Sequence, residues 1–402
     1  MSNGIRIVHN QVATSKIVHC GIMLDIGSRD ETPENQGIAH FWEHMAFKGT
    51  RKRKAFHILN RLDAVGGELN AFTDKEKILF YASLRNNYFE KALELLADIT
   101  FDSVFPATQI ERERHVILEE MAMYQDDPDD SLQDEFDRVV FTDHPLGMNI
   151  LGTQQTVRSF RRKDFHDFIR LHLDTRKVVF SCVGDMDMDE VIRLAEKYLG
   201  RIPKKIAPSN RKKFTRYKPK RVVITRDVKQ SRCALGRPAY SRMDKRKDAF
   251  FMLTNILGGT GMNSRLNDVL REKRGYVYSI GAYCFPFTDT GLFMISFGTE
   301  PAQIKKSLSL IMNELRKLRE RPLGVKQLNA AREQLLGQLA MAEENNLSFM
   351  MRMARSILDE DKMESLEEIQ HKIQAIGADQ LMAVANDIFD EGQFSFLHMD
   401  PR

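Results

Sequence analysis

Gln109–Met123 reads QIERERHVILEEMAM, and Gln327–Met341 reads QLNAAREQLLGQLAM. The two segments align without gaps. Gln, Arg, Leu, Ala and Met coincide, and the apolar positions keep one helical period. Ahead of each lies a β-rich run (KILFYASL at 77–84, GLFMISFG at 291–298) followed by another amphipathic helix. A strand, a helix and a second helix recurring in the same order mark a duplicated unit of about 200 residues. The expected fold class is therefore α+β: two homologous layered domains, each a largely antiparallel sheet covered by helices.

The break between the copies falls at Ile202–Pro219, IPKKIAPSNRKKFTRYKP, which carries three prolines. Nine Lys/Arg and no acidic residue lie between Lys204 and Arg221. This pattern reads as a solvated linker, with a docking patch for an acidic partner as the alternative. The expected domains are 1–203, a basic linker at 204–219, and 220–402.

Composition narrows the function classes. Of the 402 residues, 42% are hydrophobic and 29% charged, which is enough apolar content for two real cores. A net charge of +4 is too balanced for a dedicated nucleic-acid binder. No apolar run reaches the roughly 18 residues of a membrane span, and the N-terminal stretch lacks the order of a signal peptide. The four cysteines (Cys20, Cys182, Cys233, Cys284) are scattered, with no CxxC pair. These features predict a cytoplasmic protein that engages neither nucleic acid nor membrane.

The copies differ at two acids. Glu113 and Glu120 of the first segment face Ala331 and Gln338 of the second. Only the first half contains HFWEH, residues 40–44. On a helix, His40 and His44 stack one above the other, so both imidazoles can turn toward one ion. Zinc suits two imidazoles and a carboxylate with a fourth position open. Glu43, three residues from His40 and adjacent to His44, can face that open position and act as a base. If the motif stood alone, a surface helix with two histidines and a solvated glutamate would be the alternative reading.

The third ligand should come from Glu111, Glu113, Glu119 or Glu120. Glu113 and Glu120 are two turns apart and share a stripe with Val116 and Met123, whereas Glu119 lies with Arg112 and His115 on a polar face. A carboxylate on an apolar stripe is costly unless a cation meets it. Glu120 is thus the expected ligand, with Glu113 supporting it.

HFWEHMAFKGT, with a glutamate 120 − 44 = 76 positions beyond the second histidine, resembles the inverted-motif zinc peptidases. That family includes pitrilysin, insulin-degrading enzyme and the mitochondrial processing peptidases. The resemblance extends through NAFTDKE, HPLGMNILGT at 144–153, and LREKRGYVYS with FTDTGLF in the second half. Size and layout are most similar to the short, processing-peptidase-like branch. The family's ligands carry over to His40, His44 and Glu120, one zinc ion per catalytic domain, with Glu43 as base.

The resemblance implies more. Asn70, Ala71, Phe72 and Thr73 match an edge strand on which extended peptides pair by backbone hydrogen bonds. Arg271 and Tyr278 match a pair that anchors substrate and donates to the developing oxyanion. Tyr276 is the weaker tyrosine candidate. One chain supplies half of the family's chamber, so a dimer is expected, with Arg271 and Tyr278 serving the other subunit's site. Because this chain keeps both the motif and the pair, a homodimer is favoured over a heterodimer with a related subunit. The rival readings are a non-catalytic scaffold subunit and a structural zinc site.

Three other signals carry less. GGTGMNSRL at 258–266 reads as a turn opening a helix, since Ser264 replaces the last glycine of a nucleotide loop. DDPDDSLQDEFD at 126–137 lacks calcium-loop spacing and reads as a solvated turn and helix start. His57 reads as an ordinary helix residue.

Overall fold

The computed structural model describes every residue except Lys229; for residues 125, 126 and 128–130 it describes the backbone alone. The acidic side chains expected to form a solvated turn at 126–130 therefore lie, Asp127 apart, outside the described residues.

Two compact units emerge. Unit 1 comprises Met1–Met121, Met148–Lys212 and Ala342–Met363; unit 2 comprises Ala122–Gly147, Lys213–Met341 and Glu364–Arg402. Unit 1 is built on strands β1 (Arg6–Gln11), β2 (Ile17–Leu24), β3 (Glu68–Thr73), β4 (Ile78–Arg85) and β5 (Val178–Gly184), in the order β1-β5-β2-β4-β3. Unit 2 uses β6 (Arg221–Arg226), β7 (Ser231–Ala239), β8 (Val277–Pro286), β9 (Gly291–Thr299) and β10 (Ser395–Pro401), in the order β6-β10-β7-β9-β8. The permutation is the same in both. In each sheet the first and last strands of the unit pair in parallel and every other neighbour is antiparallel. The duplication seen in the two helical segments thus extends to the sheet topology.

Burial follows the sequence pattern. All seven residues of β5, VVFSCVG, are buried, as expected of an interior strand covered on both faces. On one face of the unit 1 sheet lie the helices Ile38–Ala46, Phe89–Phe101 and Met188–Leu199. Phe41 meets Phe160 and Phe165 edge-on, and Trp42 is fully enclosed. Each such ring contributes about 1.5–3 kcal/mol of burial. Those two residues and Met45 anchor the helix that bears the HxxEH motif.

The opposite face is covered by a helix from far along the chain. Ala354 of Asn346–Glu360 packs on Met23, Leu79 and Val179, and Met350 and Met353 pack on Val183. Ser181 Oγ donates to the Met350 carbonyl at 2.9 Å. Unit 2 does the same with Leu132, Phe136 and Val140 of Pro128–Val140, which pack on Ala234, Leu292, Met294 and Leu397. Each unit therefore takes its covering helix from the other half of the sequence, which a single division at 204–219 does not anticipate.

The basic linker is solvated along most of its length, with Arg211 the departure from that expectation. Arg211 is largely buried within unit 1, bonded to Asp25 and to both carboxylate oxygens of Asp30. Phe214 and Tyr217 pack against the outer core of unit 2. Arg211 and the two aromatics pin the stretch at these points, while Lys204, Lys213, Arg216 and Lys218 are exposed, as in a solvated linker. Among the described residues, no helix is long and apolar enough to cross a membrane.

Candidate metal centre

The motif helix Ile38–Ala46 turns Ile38, Phe41, Trp42 and Met45 into the core. That leaves His40, Glu43 and His44 on its remaining face. His40 is only 7% exposed, and the two imidazole rings lie 4.6 Å apart at 62°. A second helix, Ala107–Asp126, is held against the same core by Ile110, Ile117 and Met121. This anchoring brings Glu113 and Glu120 to the histidines.

Oε2 of Glu120 lies 3.4 Å from Nε2 of His44 and 3.8 Å from Nε2 of His40. The ligand atoms of His40, His44 and Glu120 all fall within 4.8 Å of one another, the one such metal-sized cluster among the described residues. Glu120 Oε2 is buried and accepts no well-directed hydrogen bond, a costly state for a carboxylate unless a cation completes it. Two imidazoles and one carboxylate are the donor set that zinc takes in sites with an open position. The residues present fit zinc.

Glu113 has a different role from the one expected. It meets His44: its Oε2 is 3.3 Å from Nδ1, while its Oε1 is 2.7 Å from Nζ of Lys48. A donor bond from Nδ1 to Glu113 fixes the ring and leaves Nε2 free to bind. The expected support of Glu120 is thus replaced by support of His44. Lys48, which the sequence pattern did not single out, lies just past the end of the motif helix, in the turn that follows Phe47; a cation close behind the second histidine is the signal that could have found it.

Val116 is 48% exposed and Met123 69% exposed, so Glu120 does not share a buried apolar stripe with them. The buried side of that helix runs instead through Ile110, Glu113, Arg114, Ile117 and Met121. Glu119 is exposed, as expected.

The electrostatics favour a cation. Burial disfavours charge on His44, but the carboxylates of Glu113 and Glu120 outweigh it and lift its pKa to about 9. Burial and the neighbouring His44 push His40 down to about 4, despite Glu120. Burial raises Glu120 and Glu113, yet the imidazoles, with Lys48 for Glu113, hold both below the ordinary carboxylate value. Glu43 is raised by burial, which the hydroxyl of Thr73 and His44 oppose.

That hydroxyl belongs to the edge strand. Among the described residues β3 pairs only with β4, so one side of its backbone carries no strand partner there. Leu69 and Ala71 turn toward the core and Phe72 toward the opposite face. Thr73 Oγ1, at the end of β3, donates to Glu43 Oε2 at 2.6 Å. Asn70 is exposed, with its side-chain oxygen accepting from the Ala71 amide at 2.8 Å.

Arg271 and Tyr278 lie in unit 2. Arg271 sits on the π-helix Asn267–Glu272, with Nε 4.0 Å from Glu272 Oε1. Tyr278 is the second residue of β8, the edge strand of the second sheet, where the register slips between Val277 and Ser279. Tyr278 is the extra residue of that bulge and is 58% exposed, while Tyr276 packs against the core. A bulge re-aims one side chain out of the strand's alternation. The phenol lies 3.4 Å from Glu300 Oε1.

Known proteins resemble this chain over its full length. Residues 6–154 match the family described as insulinase (peptidase family M16), and residues 159–335 match the one described as peptidase M16 inactive domain. An uncharacterized zinc protease of Streptomyces coelicolor is 34% identical over 395 residues, covering 96% of this chain and 86% of that protein. The uncharacterized zinc protease YmxG of Bacillus subtilis is 32% identical, with 97% and 94% covered. Two solved structures share the fold at 19% and 21% identity, each with a TM-score of 0.92. They are a peptidase M16 inactive domain from Pseudomonas fluorescens, covering 100% of this chain and 97% of that one, and a protease from Helicobacter pylori, covering 100% and 98%.

Proposed function

The chain belongs to peptidase family M16, and on that premise we propose that it is a zinc-dependent endopeptidase acting on extended peptides. The observation that carries this reading is the approach of Glu120 Oε2 to Nε2 of both histidines, with Glu43 beside them. His40, His44 and Glu120 hold the ion, one per chain, and Glu113 and Lys48 fix His44. Bound there, zinc supplies Lewis acidity that polarises the peptide carbonyl and makes water more acidic.

Glu43 takes the proton of the attacking water and returns it to the leaving amine. Its burial-raised pKa brings it closer to the range in which a carboxyl group exchanges protons near neutrality. Thr73 holds the carboxylate in place. The free side of β3 at Asn70–Thr73 pairs with a substrate backbone, which requires an extended or unfolded segment.

Arg271 and Tyr278 anchor the substrate and donate to the oxyanion from a second copy of the chain. Their presence in the same sequence as the metal cluster supports a homodimer over a heterodimer with a related subunit. Four free thiols suit a reducing compartment such as the cytoplasm.

The test is zinc content together with peptide-library hydrolysis, read by mass spectrometry, for the wild type and Glu43→Gln. The peptidase reading expects zinc in both proteins and turnover in the wild type alone. Metal without turnover in either would make the site structural, and neither metal nor turnover would leave a scaffold subunit.

A further inference from the structure

The turn that leads into the motif helix is held from two sides by groups that no part of the proposed chemistry uses. Gly37 caps the helix with φ of +93° and has no side chain with which to satisfy the first amides. Glu31, six residues earlier and 3% exposed, does so instead. Its Oε2 accepts from the Gly37 amide and its Oε1 from the Ala39 amide, both at 2.8 Å.

The second hold comes from Asn149–Thr156, within the HPLGMNILGT stretch and just beyond it. Gln36 Nε2 donates to the Asn149 carbonyl at 3.0 Å, and Thr156 Oγ1 donates to the Gln36 carbonyl at 2.7 Å. The two backbones touch so closely that a Cβ on Gly37 would come within 2.6 Å of the Leu151 oxygen. A Cβ on Gly152 would come within 2.4 Å of the Gln36 oxygen.

We propose that Glu31 is a positioning residue for the metal centre, setting the height and rotation of the motif helix so that His40 meets Glu120. Ala39 immediately precedes His40, so a side chain that fixes the Ala39 amide fixes the Cα from which the first imidazole projects. A helix end left without this clamp would turn or fray by a residue, and one residue is 1.5 Å along the axis and 100° around it. Metal geometry tolerates far less than that. Ile38 and Ala39 of the helix's first turn also lie in the core, but apolar burial is non-directional, whereas the two carboxylate hydrogen bonds fix the rotation of that turn about the helix axis.

This inference rests on the reading that the cluster binds zinc, and the test separates the two. Zinc affinity is measured by competition with a chromophoric chelator, and the visible spectrum of the cobalt-substituted protein is recorded, for wild type and Glu31→Gln. Glutamine keeps the shape but turns an NH2 group toward one of the two amides. The expected result is zinc affinity lowered about 10- to 100-fold, with a cobalt spectrum changed in intensity and position.

A fall in the melting temperature of the metal-free protein, with wild-type zinc affinity and cobalt spectrum, would make Glu31 merely structural and overturn the proposal. Should Glu31→Gln fail to fold, Glu31→Asp, which keeps the carboxyl but shortens its reach, is read by the same criteria. A wild type that binds no zinc would remove the underlying reading itself.

Discussion

Thr73 Oγ1 donates to Glu43 Oε2 at 2.6 Å, linking the last residue of the edge strand to the proposed base. One side chain thus ties the strand on which a peptide would pair to the group that would move the proton. Thr73→Val keeps the β-branched shape and the backbone but removes the donor. A hydrogen bond to a charged group contributes about 1.5–3 kcal/mol, so kcat is expected to fall about tenfold or more. KM and zinc content should stay at wild-type values, and Thr73→Ser should retain most of the rate. Steady-state kinetics on one peptide checks this, and an unchanged kcat in Thr73→Val would refute the link.

Lys48, Glu113 and His44 form a chain of contacts at 2.7 and 3.3 Å behind the metal cluster. Removing the lysine charge leaves Glu113 less strongly held and His44 less firmly oriented. Lys48→Met should therefore weaken zinc binding, by about 10-fold, at the low end for supporting groups of this kind. Glu113→Gln should do the same, and the double variant should lose less than the sum, because both act through His44. Chelator competition on the three variants is the measurement. Additive losses would mean that the two residues act independently.

Part of this arrangement was legible before any coordinates. Two histidines four apart share one helix face whatever the tertiary fold, so HxxEH marked where to look for a third ligand, and Glu120 had to be chosen among four nearby acids. The duplication was legible because both copies must keep one apolar period to cover equivalent sheets. What escaped was set by packing between distant segments. An amphipathic helix such as Asn346–Glu360 announces an apolar face but not which sheet receives it, and here the receiver lies far away in sequence. The stripe of Val116 and Met123 was misread because apolar residues are common on surfaces. Arg211 looked solvated because its run held no acid, yet Asp25 and Asp30, some 180 residues earlier, were its partners. The bulge at Tyr278 and the Thr73–Glu43 bond are matters of register and of helix–sheet distance, which no local pattern encodes.

Asp25 predicts how unit 1 responds to acid. Its carboxylate takes Lys77 at 2.7 Å, Arg211 at 2.9 Å and Lys177 at 3.1 Å. Lys77, whose side chain is 1% exposed, also meets Asp359 at 2.8 Å. Burial alone would raise the Asp25 pKa, but the three cations overcome it and hold the group far below its ordinary 3.8. The folded pKa is therefore depressed, so the folded state binds the proton less readily than the unfolded chain. The stabilisation is complete above the unfolded value and is lost as pH falls through the folded one. Asp25→Asn should cost roughly 3–5 kcal/mol at neutral pH by leaving buried cations underpaired. Its difference from wild type should narrow as the pH drops below about 4. Urea unfolding in the presence of chelator, at about pH 7 and about pH 3, reads both. A constant difference would place the acid sensitivity elsewhere.

The proposed sharing of a site between two copies can be tested by mixing two damaged proteins. Glu43→Gln removes the proposed base, and Tyr278→Phe removes the phenolic donor on the bulge of β8. If Tyr278 serves its partner's metal centre, a mixed dimer holds one site that joins an intact Glu43 to an intact Tyr278 from the other chain. Random exchange of equal amounts makes half the dimers mixed, each with one whole site of two, so about a quarter of wild-type turnover should return. If Tyr278 serves the centre of its own chain, every site in the mixture lacks one group and nothing returns. The comparison is the activity of each variant alone against the activity after the two are dissociated together and reassociated. Recovery beyond the sum of the separate residual rates assigns Tyr278 to the partner, and recovery at or below that sum assigns it to its own chain or to no site.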